Sequence, residues 1–216
     1  RMASGGAALA RNLPVPTPAS PMVLDPFTLL VITAAMAAAS MLYLASEWRG
    51  VQERSLLLWS SGFAIITVGS ALALLRSRGY LWVGIWFSNG LLIAAHGLFL
   101  AGVAAFTRTR LPRAWWGVAA VWLAMLLLPD GPWWSKAMLC VQSLLIAAIT
   151  LRAGLMLRPQ GVALSVGAAQ LRFALLAHGL FYLAKAASVV ALDGFVNLAS
   201  LDRKSTRLNS SHVEIS

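Results

Sequence analysis

Among the residues able to do chemistry, two histidines stand out: His96 in Ala95-His96-Gly97-Leu98-Phe99 and His178 in Ala177-His178-Gly179-Leu180-Phe181, one pentapeptide repeated 82 positions apart. Two imidazoles facing one cavity can hold a metal, a haem iron or a proton, so the pair is a weak candidate for cofactor binding. Against that, no further His, Asp or Glu stands three or four residues from either histidine. The preferred reading is therefore a pair of histidines hydrogen-bonded inside a helical bundle, without a cofactor. In a chain rich in Ala, Gly, Leu and Phe the repeat reads as chance. The alternative is the trace of an inverted repeat, because odd and even membrane helices run in opposite senses.

Arg172 and Lys185 flank His178 at offsets of six and seven residues, close to two helical turns either way. A basic stripe of that kind could receive an anionic ligand. With 12 residues between them, the two cations also fit the ends of a span, snorkelling to the headgroups, and that reading is adopted. Asn89, Gln142 and Gln170 are suited to hydrogen bonds across helices. Asn89, Gln170, Arg172 and Lys185 are thus weak candidates for ligand contact.

Other templates fail. The seven carboxylates are scattered, and none of Gly-x-x-x-x-Gly-Lys, Gly-x-Ser-x-Gly, Cys-x-x-Cys or His-Glu-x-x-His occurs. No catalytic residue, metal or cofactor is expected. The single cysteine, Cys140, sits in an apolar run and reads as a small buried hydrophobe.

The elements that must position these residues follow from composition. Of 216 residues, 59% are hydrophobic and 11% charged, and the mean hydropathy is +0.77. Soluble domains carry about 25% charged residues, so a water-soluble globular fold is excluded. The net charge of +10 would suggest nucleic acid on a soluble protein. In a chain this apolar it marks cytoplasmic loops instead, and no nucleic-acid partner is expected.

About 20 apolar residues cross a bilayer. Six runs qualify: Phe27 to Ser46, Ser55 to Leu75, Tyr80 to Thr107, the short Ala114 to Leu128, Ser135 to Leu151 or Leu157, and Val162 to Leu192. Trp115, Trp116, Trp133 and Trp134 flank the fourth as an interfacial belt would. The expected fold is an all-α polytopic transmembrane bundle of about six helices. Gly62, Gly69, Ala71 and Ala73 in the second run, with the Ala34 to Ala39 stretch in the first, suggest close approach of these two helices.

Loop charge predicts orientation. Arg49, Arg54, Arg108, Arg110, Arg113, Arg152 and Arg158 share one side, against Arg1, Arg11, Arg76, Arg78 and Lys136 on the other, where Asp130 also lies. Seven against five favours an outside N-terminus. It also places the segment after the sixth helix, with Asp193, outside. Reaching a cytoplasmic domain would then take a seventh helix, which the sequence is expected to lack. Residues 1–21 read as a disordered or non-native leader before Met22, and 22–200 as the membrane module. Residues 201–216 read as a non-native polar tail, which from about Arg203 looks like a translated sequencing adapter. With the charges of the leader and of the tail from Arg203 set aside, +6 remains.

Within that module, Leu24-Asp25-Pro26-Phe27-Thr28-Leu29-Leu30, Glu47-Trp48-Arg49, Arg54-Ser55-Leu56-Leu57-Leu58-Trp59-Ser60-Ser61-Gly62-Phe63 and Phe87-Ser88-Asn89-Gly90-Leu91-Leu92 resemble the N-terminal membrane region of bacterial GGDEF-type diguanylate cyclases. The resemblance implies a sensory or anchoring module in the bacterial inner membrane, preceding a cytoplasmic domain that makes cyclic di-GMP. It also implies a possible homodimer and an unknown small-molecule signal. The Gly-Gly-(Asp/Glu)-Glu-Phe signature is absent, so this chain is not itself the enzyme. The alternative is a small stand-alone transporter or permease-like bundle.

Overall fold

The computed structural model describes residues 26–75, 80, 82–111, 113–128, 133–157 and 166–213, and side chains only between 28 and 191, residues 114 and 166 excepted. The leader 1–21, Arg76, Arg78, Asp130 and Arg158 lie outside the described residues, as do the side chains of Asp193 and of the tail 201–216.

The described chain is all helix: α1 (Pro26–Val51), α2 (Arg54–Ala73), α3 (Ser88–Phe106, entered through a π-helical turn Trp82–Phe87), α4 (Trp116–Ala124), α5 (Trp134–Met156) and α6 (Val166–Val213). Five stretches are long and apolar enough to cross a membrane: Thr28–Val51, Arg54–Ala73, Trp82–Phe106, Trp134–Met156 and Gly167–Ala191. These five are consistent with a multi-pass membrane protein.

Side-chain placement agrees. Met36, Phe173, Phe181 and Val190 face outward, whereas Ser55, Ser60, Ser70, Ser88, Gln142, Ser143 and Thr150 are buried. In lipid an apolar exterior costs nothing, and polar groups are best kept inside. Several hydroxyls donate to the carbonyl one turn back, Ser88 to Gly84 at 2.8 Å, Ser143 to Leu139 at 2.7 Å and Thr150 to Ile146 at 2.8 Å, so none needs water.

Element boundaries differ from the sequence expectation in two places. α1 continues through Glu47-Trp48-Arg49, whose charges favour the interface without opposing helix, and ends where Gln52 turns to φ 56°. α6 runs on past Leu192 to Val213, a stretch with no proline to end it.

Ring contacts give the sense of each helix. Trp59 near the start of α2 meets Phe106 at the end of α3, so α2 and α3 are antiparallel. Trp82 at the entry to α3 lies 5.7 Å from Trp134 at the start of α5, so α3 and α5 are parallel and the chain must cross back between them. α4, with single 3-10 turns at Arg113–Trp115 and Met125–Leu127, makes that return. It covers about 25 Å at helical rise, short of the roughly 30 Å hydrocarbon core, and the extended Leu128 continues it. Gly154 packs on Leu176 while Gly179 packs on Leu151, so α6 is antiparallel to α5 and to α3. The ends of α1, α3 and α5 therefore share a face with the starts of α2, α4 and α6. Arg49, Arg54, Arg108, Arg110, Arg113 and Arg152 gather there.

The centre of the bundle is α3 and α5. Half of the α5 span is buried, against 11% for α6 and 6% for α1. Leu100, Val103, Met138, Ile146 and Ile149 form its innermost layer. The α2 glycines serve a different neighbour from the expected one. Gly62 faces Phe99 and the Ala95 carbonyl, and a Cβ added at Gly69 would lie 3.3 Å from the Ser88 carbonyl oxygen. These glycines thus pack on α3, while α1 also packs along α2, where the Ser60 hydroxyl donates to Met41 O at 3.0 Å.

Candidate functional site

Antiparallel packing brings the two pentapeptides together. His96 lies 14 residues beyond Trp82 and 10 before Phe106, and His178 lies 11 beyond Gly167 and 13 before Ala191, so both sit near mid-depth of their spans. Their Nε2 atoms are 3.2 Å apart. The near-parallel rings, 11° apart, have centroids separated by 5.4 Å. That exceeds the N···N distance by about two ring radii, so the nitrogens point at one another and the rings meet edge to edge.

The tautomers follow from the partners. His96 Nδ1 is 2.6 Å from Leu92 O; a carbonyl only accepts, so Nδ1 carries the hydrogen and donates. His96 Nε2 is then a bare lone pair, and His178 Nε2–H donates to it. Phe99, packed at 4.8 Å on Phe63, and Tyr182 meet the His96 ring edge-on at 5.7 Å and 6.0 Å. Tyr182 also meets His178 at 4.9 Å. Lys185 places Nζ 5.2 Å from the Tyr182 centroid, a cation–π distance. His178, Tyr182 and Lys185 stand at i, i+4 and i+7, one stripe of α6.

This arrangement is a hydrogen bond rather than a ligand set. A tetrahedral metal about 2 Å from each nitrogen would sit off the line between them, with both lone pairs turned toward it, whereas here the two nitrogens point along that line at 3.2 Å. Among the described residues no three His, Cys, Asp or Glu side chains come together as a metal site. What the pair can do is hold α6 to α3 and carry a proton. One added proton on His178 Nδ1 keeps the Nε2–H···Nε2 bond, whereas a second, on His96 Nε2, abolishes it.

The remaining sequence candidates lie apart from the pair. Six residues are about 1.7 turns, so Arg172 falls off the stripe; it is half-buried, with Nε unpartnered. Asn89 is half-buried two turns before His96, and Gln170 is exposed. Gln142, expected to bond across helices, is buried with its Oε1 unpartnered. Cys140 is half-buried and reduced. Tyr182 was missed by sequence reasoning; an aromatic ring one turn from an intramembrane histidine was the available signal.

Comparison with protein families, with curated proteins and with solved structures finds no match.

Proposed function

We propose that this chain is an integral membrane sensory or anchoring module of a bacterial signalling protein, of the kind that precedes diguanylate cyclase domains. The supporting observation is the attachment of α6. This helix is lightly enclosed, with 11% of its span buried, and the His96–His178 bond, with Tyr182 against His96, ties it to α3. A shift of this helix against α3 changes that hydrogen bond while its packing on α5 through Gly154 and Gly179 is kept, which suits a two-state signalling element. In this reading the arginine-rich face is cytoplasmic and the N-terminus is outside. The signal is a small molecule or proton, and a second copy is the partner in the bilayer.

The gene, sequenced and expressed past Ser200 with a cyclic di-GMP reporter, is expected to change reporter output, and His96→Ala to alter that change. Unchanged output from a well-expressed product counts against the module. A second reading, a small transporter, draws on the same cluster, since His96, His178 and Tyr182 near mid-depth, with Lys185 nearer the end of the span, are ionisable groups of the kind that form proton paths. It requires proton uptake into vesicles, followed with an entrapped pH dye, that His96→Ala or His178→Ala abolishes; the sensory reading has no uptake to lose.

A further inference from the structure

Away from the histidines, α3 and α4 enclose a cavity of about 690 Å³, within the size range of small-molecule sites. Its shape follows from two glycines on one face of α3. At Gly90 an added Cβ would lie 2.7 Å from Trp122 Nε1, so α4 leans directly on α3, and Trp86 stacks on Trp122 at 6.3 Å to close that end. At Gly97 nothing lies within 4 Å of an added Cβ: the helices have parted. Gly90, Ala94, Gly97 and Ala101 form a floor without bulk. Arg113, Trp115 and Trp116 line the other end, on the arginine-rich face.

We propose that this wedge binds one anionic phospholipid, with an acyl chain along the small-residue floor of α3 and the phosphate on Arg113. Length supports it. From Trp86 to Ala101 the floor runs about 22 Å, more than the roughly 15 Å depth of one leaflet of hydrocarbon. The lining supports it too, being aliphatic and aromatic throughout except for Arg113. That one cation stands beside two indoles, at the end where headgroups lie, and guanidinium is suited to bidentate phosphate contact. Arg108 and Arg110, both exposed on the same loop, add to the positive field. This site does not rest on the signalling role.

The test uses the whole chain in detergent, with palmitoyl-oleoyl phosphatidylglycerol or phosphatidylethanolamine added and retained lipid counted by native mass spectrometry. One phosphatidylglycerol per chain is expected, in preference to phosphatidylethanolamine. Gly97→Leu fills open space, so the protein should stay folded and lose the lipid; Ala94→Leu on the same floor decides the matter if the first variant misfolds. Arg113→Gln should weaken phosphatidylglycerol binding about tenfold, the loss of one charge-assisted contact, and phosphatidylethanolamine binding less, because its ammonium already offsets its phosphate. Undiminished lipid retention in the folded floor variants overturns the cavity as the site, and undiminished phosphatidylglycerol binding in Arg113→Gln overturns the phosphate contact.

Discussion

The same five residues, Ala-His-Gly-Leu-Phe, occupy two unlike places in this molecule. In α3, Ala95 and His96 are buried and Phe99 packs on Phe63, while Gly97 opens onto a cavity. In α6 the relations reverse: Ala177 and His178 are exposed, Phe181 is 63% exposed, and Gly179 is the buried member, its Cα against Leu151 and Thr150. Only the histidines do the same thing, and they do it to each other. Identical local sequence therefore says nothing about which residue carries the packing. That is decided by depth in the bundle, α3 being central and α6 peripheral.

The two phenylalanines should give the widest separation. Phe99→Ala removes a ring held by Phe63 and His96 and should cost about 3 kcal/mol, the usual price of an enclosed aromatic. Phe181→Ala exchanges one lipid contact for another and should cost about 0.5 kcal/mol or less. Unfolding in detergent titrated with dodecyl sulfate measures both, and equal losses would abolish the distinction between the two segments. The glycines should invert the order. Gly179→Leu must displace Leu151, whose Cγ lies 2.6 Å from an added Cβ, at about 2 kcal/mol for overpacking. Gly97→Leu meets nothing and should be near neutral in the same titration. A Gly97 variant as damaging as the Gly179 variant would mean that α4 closes on α3 there.

Much of this was readable beforehand. Six helices follow from apolar runs bounded by charge, five of them long enough to cross a membrane, and the short fourth one returns the chain so that Trp82 and Trp134 can meet. Which face a helix turns to which neighbour was not readable. Small residues such as Gly62 and Gly69 announce close approach, but any adjacent helix satisfies them, and α3 rather than α1 does so. For the histidines, the geometry joins the two rings in one hydrogen bond, although the repeat itself read as chance. The missing information was helix order in space: α6 reaches α3 because α5 lies beside both, a relation no spacing within either helix encodes. Arg172 shows the opposite error, since an offset of six looks like two turns on paper and falls well short of them on a helix.

The smallest effect is the most informative about the pair itself. His96→Ala alone should cost about 2 kcal/mol, combining a buried void with an orphaned His178 N–H, whereas His178→Ala removes an exposed ring and should cost about 1 kcal/mol. The part due to their mutual bond is the coupling in a double-mutant cycle, and intramembrane hydrogen bonds set it at about 0.6 to 1.5 kcal/mol. A His178→Gln variant, whose amide still donates, should recover part of that coupling, while His178→Phe, which keeps a ring and no donor, should recover none. If phenylalanine restores stability as well as glutamine does, the two helices are held by ring packing and not by the Nε2–H···Nε2 bond. The parallel between the pentapeptides would then reduce to shape alone.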